Sequence, residues 1–277
     1  MLNNPNNLYN NTPPLVKNLL IINLIVFVAS ITLYKSYSID INREFGLYNW
    51  QSDYFKPYQL ITHMFLHGNF MHIFFNMFAV WMFGSVLEKF WGAQRFFYFY
   101  FFTGIGAAIL HLITGSIMLS GVYNATELYI ANPNYEAFVA YVDNYIPRAS
   151  SIESLNNFLA EWNRNRANPS LINESILIVN DVFESRSNIP TVGASGAVFG
   201  VLLGFGMLFP NTVLMLIFPP IPIKAKYFVI IYGAIELYMG LRNNVNDNVA
   251  HFAHLGGMLF GFILIKYWNK TNKKSLY

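Results

Sequence analysis

The sequence predicts an all-α polytopic membrane protein with six transmembrane helices, and three observations carry that prediction. The 277 residues are 55% hydrophobic and 18% aromatic but only 11% charged, and charge is scarce where hydrocarbon makes it costly. The apolar residues gather in stretches near the length of one bilayer crossing, which takes roughly 20 residues of helix. The remaining charges are unevenly placed, with basic residues collecting at alternate ends of those stretches. There is no cysteine, which excludes a disulfide framework and thiolate chemistry.

Residues 1–14 are rich in Asn and Pro and read as a loose tail. Residues 15–34 form the first span, apolar after Lys17. They lack a small-x-small cleavage pattern, so an uncleaved anchor is expected rather than a signal peptide. Residues 35–59 are too polar to span and too long for a simple turn. They carry Trp50, Tyr54, Phe55 and Tyr58, which suits a folded loop at headgroup level. The second and third spans are 72–87, entered through 60–70, and 96–119. Their short connection holds Glu88, Lys89 and Arg95.

Residues 120–190 break the pattern, with eight acidic and four basic residues. Within them 135–145, 152–162 and 171–183 are each partly amphipathic. The expectation is a long, partly helical outer insertion between spans 3 and 4, because structureless loops of that length are rare in compact proteins. A fourth span covers 195–209. Residues 210–226 contain Pro219-Pro220-Ile221-Pro222, Lys224 and Lys226 and must leave the hydrocarbon. Spans at 227–239 and 250–267 complete the set. The membrane domain is thus 15–268, followed by a basic tail at 269–277.

Charge orients the bundle. With the N-terminus inside, the inner side holds nine basic residues and one acidic residue, and the outer segments hold eight basic and twelve acidic. Short loops and span ends all agree with the positive-inside rule. Both termini are therefore expected in the cytoplasm, in a bacterial inner membrane. Ser195 falls at the outer end of its span.

Gly193-Ala194-Ser195-Gly196 opens the fourth span, and Gly196, Gly200 and Gly204 recur every four residues. That spacing places the glycines on one helical face, the kind of stripe that lets membrane helices approach closely. His254 opens the last span in Ala253-His254-Leu255-Gly256-Gly257, with Gly257 and Gly261 continuing its face. Two glycine-striped helices that start at one depth can bring a hydroxyl and an imidazole together. A serine hydroxyl is a weak nucleophile and needs such a base. His72 and Asn76, four apart, share a face of a helix that begins at the same surface. Both side chains can donate to the oxyanion formed when an amide is attacked. Ser195, His254, His72 and Asn76 are the candidate nucleophile, base and oxyanion donors.

These blocks resemble the rhomboid family of intramembrane serine proteases from about residue 45 to 265. Gly193-Ala194-Ser195-Gly196 matches the family's G-x-S motif, and Ala253 to Gly257 its A-H-x-x-G motif. His63 to His67 and His72 to Asn76 match a third block, while Gly84, Glu88, Gly92 and Arg95 match the pattern at the inner end of spans 2 and 3. The resemblance implies a Ser195–His254 dyad without a third acid, His72 and Asn76 as oxyanion donors, and Phe199 packed on the imidazole. It implies cleavage in or beside the transmembrane helix of a membrane-protein substrate, near the outer leaflet. The insertion at 120–190 is much longer than the corresponding loop of minimal members.

Other readings of the same residues stay open at this point. His63, His67 and His72 suit a metal by ligand type, although no completing carboxylate lies nearby, and hydrogen bonds that pack the outer loop serve His63 and His67 better. Glu236 is a carboxylate well inside a span, as a proton-coupled transporter would require, yet no paired repeat accompanies it. A helix-to-helix hydrogen bond is its expected role. Asp247 reads as a turn or cap residue more readily than as a triad acid. The expected partners are transmembrane substrates and lipids, with no nucleic acid, cofactor or metal. The competing functional class is a membrane binding or quality-control protein that recognises unstable helices without cutting them.

Overall fold

The computed structural model describes residues 12–216, 220–242 and 250–271. The predicted tails at 1–14 and 269–277 lie largely outside the described residues, as do Pro219 and Asp247. The chain divides into two compact bodies. The first comprises 1–47, 56–113 and 190–277, and the second 48–55 and 114–189.

In the first body, α1 (Pro14–Tyr37) starts with proline in its first turn, where a missing N–H costs nothing. Two of its free N–H groups are capped from another helix, since the Glu88 carboxylate accepts from Leu15 at 2.9 Å and from Val16 at 2.8 Å. A negative group at a helix N-terminus also meets the positive end of the helix dipole. That explains a carboxylate buried to 3% exposure at the end of an apolar helix. Val16, Leu19, Asn23, Phe27 and Ser30 face inward. Ile21, Leu24, Ile25 and Val28 stay exposed, and a helix that is apolar all round needs lipid on its outer face.

Helix α2 (Phe70–Trp91) contains a π-helical turn at Val80–Gly84 and stops at Gly92, where φ is 82°. Helix α3 (Ala93–Ala131) is 39 residues long, well beyond the expected end at 119. Its extension becomes more polar but contains no proline, so helix propensity persists after hydropathy fades. These three helices are long and apolar enough to cross a bilayer.

Helix α7 (Ser195–Leu208) is apolar but only 14 residues long, about 21 Å at the usual helical rise. Ten of those 14 residues are buried, so neighbouring helices enclose it. Helices α8 (Ala225–Arg242) and α9 (His251–Thr271) follow, and both expose large apolar side chains such as Ile230, Leu237, Leu259 and Phe262. Between α7 and α8 the all-α expectation fails locally. Strands β1 (Val213–Met215) and β2 (Pro222–Lys224) form an antiparallel hairpin with Val213 opposite Lys224. Pro220 and Pro222 disfavour a helix at the start of β2.

The second body holds α4 (Tyr135–Tyr145), α5 (Glu153–Arg164) and α6 (Pro169–Ser187). Asn134 and Asn168 cap α4 and α6 by accepting backbone N–H groups. The body has its own core, in which Phe138, Tyr141, Leu155, Phe158, Trp162 and Val179 are buried together. The apolar positions of the amphipathic segments are thus covered by one another. Thr126 and Tyr141 bond at 2.9 Å, and Tyr129 bonds Ser175. The two bodies have separate cores.

Candidate active site

The segment entering α7 is fixed before the helix begins. Thr191 exchanges backbone hydrogen bonds with Leu47 at 2.8 and 2.9 Å, and its hydroxyl bonds His111 Nε2 at 2.9 Å. Gly193 then donates its N–H to the His63 carbonyl at 2.9 Å. The φ of Gly193 is 127°, a region that side-chain-bearing residues rarely adopt. A Cβ there would also stand 2.6 Å from His72 Nε2. Glycine at 193 therefore serves both the turn and the close approach of the His72 ring. Ser195 follows as the first residue of α7.

Helices α7 and α9 meet at their glycines. A Cβ on Gly257 would fall on the carbonyl of Gly196, and one on Gly261 would lie 3.5 Å from Gly200 Cα. This crossing brings Ser195 Oγ to 2.9 Å from His254 Nε2. Phe199, one turn below the serine, stacks on the imidazole with ring centroids 4.1 Å apart and planes 7° from parallel. The other ring nitrogen of His254, Nδ1, lies at hydrogen-bond distance, 2.9 Å, from Glu236 Oε2 of α8. His251 Nδ1 reaches the same oxygen at 2.7 Å. Glu236 is 4% exposed, so the bonds to two imidazoles replace the solvation its carboxylate has lost.

His72 lies in the first turn of α2, where the Asn69 side chain accepts its N–H at 2.9 Å and anchors the helix start. Asn76 lies one turn further on. It is buried, and its Nδ2 has no hydrogen-bond partner. An unspent donor in such a place is costly and available to a developing charge.

The remaining histidines fill other roles. Burial holds His63 down at about 4, so its neutral ring bonds the Gln59 carbonyl through Nδ1 at 2.7 Å, while its own carbonyl receives Gly193. His67, also expected to hydrogen-bond the loop, instead lies edge-on to the His72 ring at 5.0 Å. Among the described residues, the three groups whose ligand atoms converge are not His63, His67 and His72. They are Glu236, His251 and His254, within 4.8 Å of one another. The bond from Glu236 does run between helices, but its partner is the candidate base itself. His251 and His111 join this arrangement without an expected role in the sequence. The i, i+3 spacing of His251 and His254, which sets both on one face of α9, was the available signal for the first. His111 lies mid-helix and carries no such signal.

Long apolar helices and glycine-mediated crossings define an integral membrane protein, with a serine–imidazole–carboxylate chain set among its helices. Within that class the chain belongs to the rhomboid family, whose Rhomboid domain matches residues 54–125 and 175–270. The matched residues take in the His72, Ser195 and His254 segments and omit the whole of α4 and α5. It is also similar to Rhomboid-like protein 15 of Arabidopsis thaliana, 35% identical over 63 residues. That stretch covers 23% of this chain and 16% of the relative, so the chain aligns with only a small part of that protein's length.

Proposed function

We propose that this protein is an intramembrane serine endopeptidase that hydrolyses a peptide bond in or beside the transmembrane helix of a membrane-protein substrate. The observation that carries the reading is the 2.9 Å bond between Ser195 Oγ and His254 Nε2, held at a crossing where backbone lies on backbone. His254 takes the hydroxyl proton as Oγ attacks the substrate carbonyl carbon. The Ser195 N–H, His72 and Asn76 Nδ2 stabilise the oxyanion. His254 returns the proton to the leaving amine as the C–N bond breaks, and water then hydrolyses the acyl-enzyme by the reverse use of the same groups. The chemistry needs no cofactor or metal. An intact helix hides its amides, so suitable substrates are single-span helices that fray cheaply at glycine, proline or polar residues.

A serine-reactive fluorophosphonate tests this reading directly. Folded wild-type protein in detergent is expected to be labelled at Ser195. Folded protein that stays unlabelled, yet still captures an unstable transmembrane peptide, would instead make it a non-proteolytic binding or quality-control protein.

The six-span topology with cytoplasmic termini and the active site toward the outer leaflet belongs to the same proposal. It rests on the charge asymmetry and on the apolar surfaces of α1, α2, α3, α8 and α9. The chain has no native cysteine, so one introduced cysteine reports without background. Ala160→Cys is expected to react with an impermeant maleimide added from outside. Labelling from the cytoplasmic side alone would invert the topology.

A further inference from the structure

The family resemblance implies a serine–histidine pair without an acid. In this chain a buried carboxylate completes the line Ser195 Oγ, His254 Nε2, His254 Nδ1, Glu236 Oε2, with 2.9 Å at each hydrogen bond. We propose that Glu236 is the positioning residue of His254, and that His251 clamps the carboxylate for that task. The inference rests on the reading of Ser195 as nucleophile and His254 as base.

Three features support it beyond a tie between helices. First, the contact is made to the imidazole nitrogen opposite the serine. A carboxylate that accepts at Nδ1 requires the proton there, and that leaves the Nε2 lone pair facing Ser195 Oγ. The opposite tautomer would put a hydrogen on Nε2 and remove the base.

Second, both imidazoles converge on one oxygen, Oε2. The bond from His251 at 2.7 Å holds the carboxylate rotamer without competing for the serine. His251 and His254 lie in the first turn of α9, where the helix dipole also favours a negative partner. Third, Phe199 stacked at 4.1 Å restrains the ring plane, so the hydrogen bond to Glu236 is left to choose the tautomer and the rotation within that plane.

During attack the proton moves from Ser195 Oγ to His254 Nε2 as the Oγ–carbon bond forms. The resulting imidazolium is stabilised by ionised Glu236, which takes up no proton itself. The proton then passes to the leaving nitrogen as the C–N bond breaks. His72 and His111 are the other titratable groups electrostatically close to His254, and Tyr232 faces Glu236. None of these carries a charge that could replace the carboxylate at Nδ1.

Two measurements on the full-length protein in detergent test the assignment. The first is the fluorophosphonate labelling rate of wild type, Glu236→Gln and Glu236→Asp, each with its thermal midpoint. Glu236→Gln keeps the shape but loses the charge and can donate to Nδ1. Its labelling should slow by roughly 10³–10⁴-fold with little change in midpoint, and Glu236→Asp should recover much of the loss. The second is ¹⁵N NMR of histidine-labelled wild type, with His254 assigned by comparison with His254→Ala. It should show His254 protonated at Nδ1, and that ring should change tautomer in Glu236→Gln.

Labelling of Glu236→Gln within threefold of wild type would overturn the proposal. So would wild-type His254 protonated at Nε2, a reading that needs no variant to fold. Loss of wild-type labelling on chelation would also overturn it, because the three converging groups would then be holding a metal. Absence of wild-type labelling without a chelator is a different failure, that of Ser195 as nucleophile.

Discussion

Ser195→Ala protein is expected to fold and insert normally and to cleave a transmembrane substrate roughly 10⁶-fold more slowly, the scale seen when a serine nucleophile is removed. The substitution deletes one oxygen at the first residue of α7 and leaves the glycine crossing with α9 untouched. His254→Ala should lose nearly as much, and the double variant little more, because the two side chains act as one unit. Asn76→Ala should behave differently. Its Nδ2 is unpartnered in the resting protein, so truncation removes a bond made only to developing charge. The expected loss is about 10²–10³-fold in kcat with KM nearly unchanged. Cleavage of a fluorogenic transmembrane peptide in proteoliposomes reads all four proteins. Cleavage by Ser195→Ala within tenfold of wild type would remove Ser195 from the chemistry.

Some of this arrangement is legible in the residues, and the rest requires contacts between distant segments. The glycines are informative because their spacing repeats with the helix period. Gly196 and Gly200 on one side, and Gly257 and Gly261 on the other, imply close approach by their spacing alone. The polar insertion is legible as short helices because Phe138, Tyr141, Leu155, Phe158 and Trp162 recur at helical spacing, and those residues are buried in a shared core. The cap on α1 is not legible, because Glu88 lies more than 70 residues from the N–H groups it accepts. Nor is the target of Glu236. A lone carboxylate in an apolar helix announces a partner, but only the packing of α8 on α9 selects His254. The extended α3 and the β1–β2 hairpin show a different limit. Hydropathy marks where lipid is favourable, whereas helices end where the backbone meets a breaker, and the two boundaries need not coincide.

Gly257→Ala is expected to be the most damaging single methyl group that can be added to this protein. The new Cβ would fall on the carbonyl oxygen of Gly196. That atom is main chain of an enclosed helix, so no side-chain rotation can relieve the overlap and α9 must move away from α7. Overpacking typically costs about 1–3 kcal/mol where side chains can adjust, and a backbone collision belongs at or above the top of that range. With about 2–4 °C lost per kcal/mol in a protein of this size class, the midpoint should fall on the order of 10 °C. The same displacement separates Ser195 from His254, since Gly257 follows His254 by three residues and lies nearly above it on α9. Fluorophosphonate labelling should therefore fail in the fraction that remains folded, linking the stability defect to the catalytic one. Gly68→Ala is the control, because a Cβ there meets nothing within 4 Å and should change stability by less than about 0.5 kcal/mol. If Gly257→Ala kept both its midpoint and its labelling, the close crossing of α7 and α9 would not be what holds the serine against the imidazole.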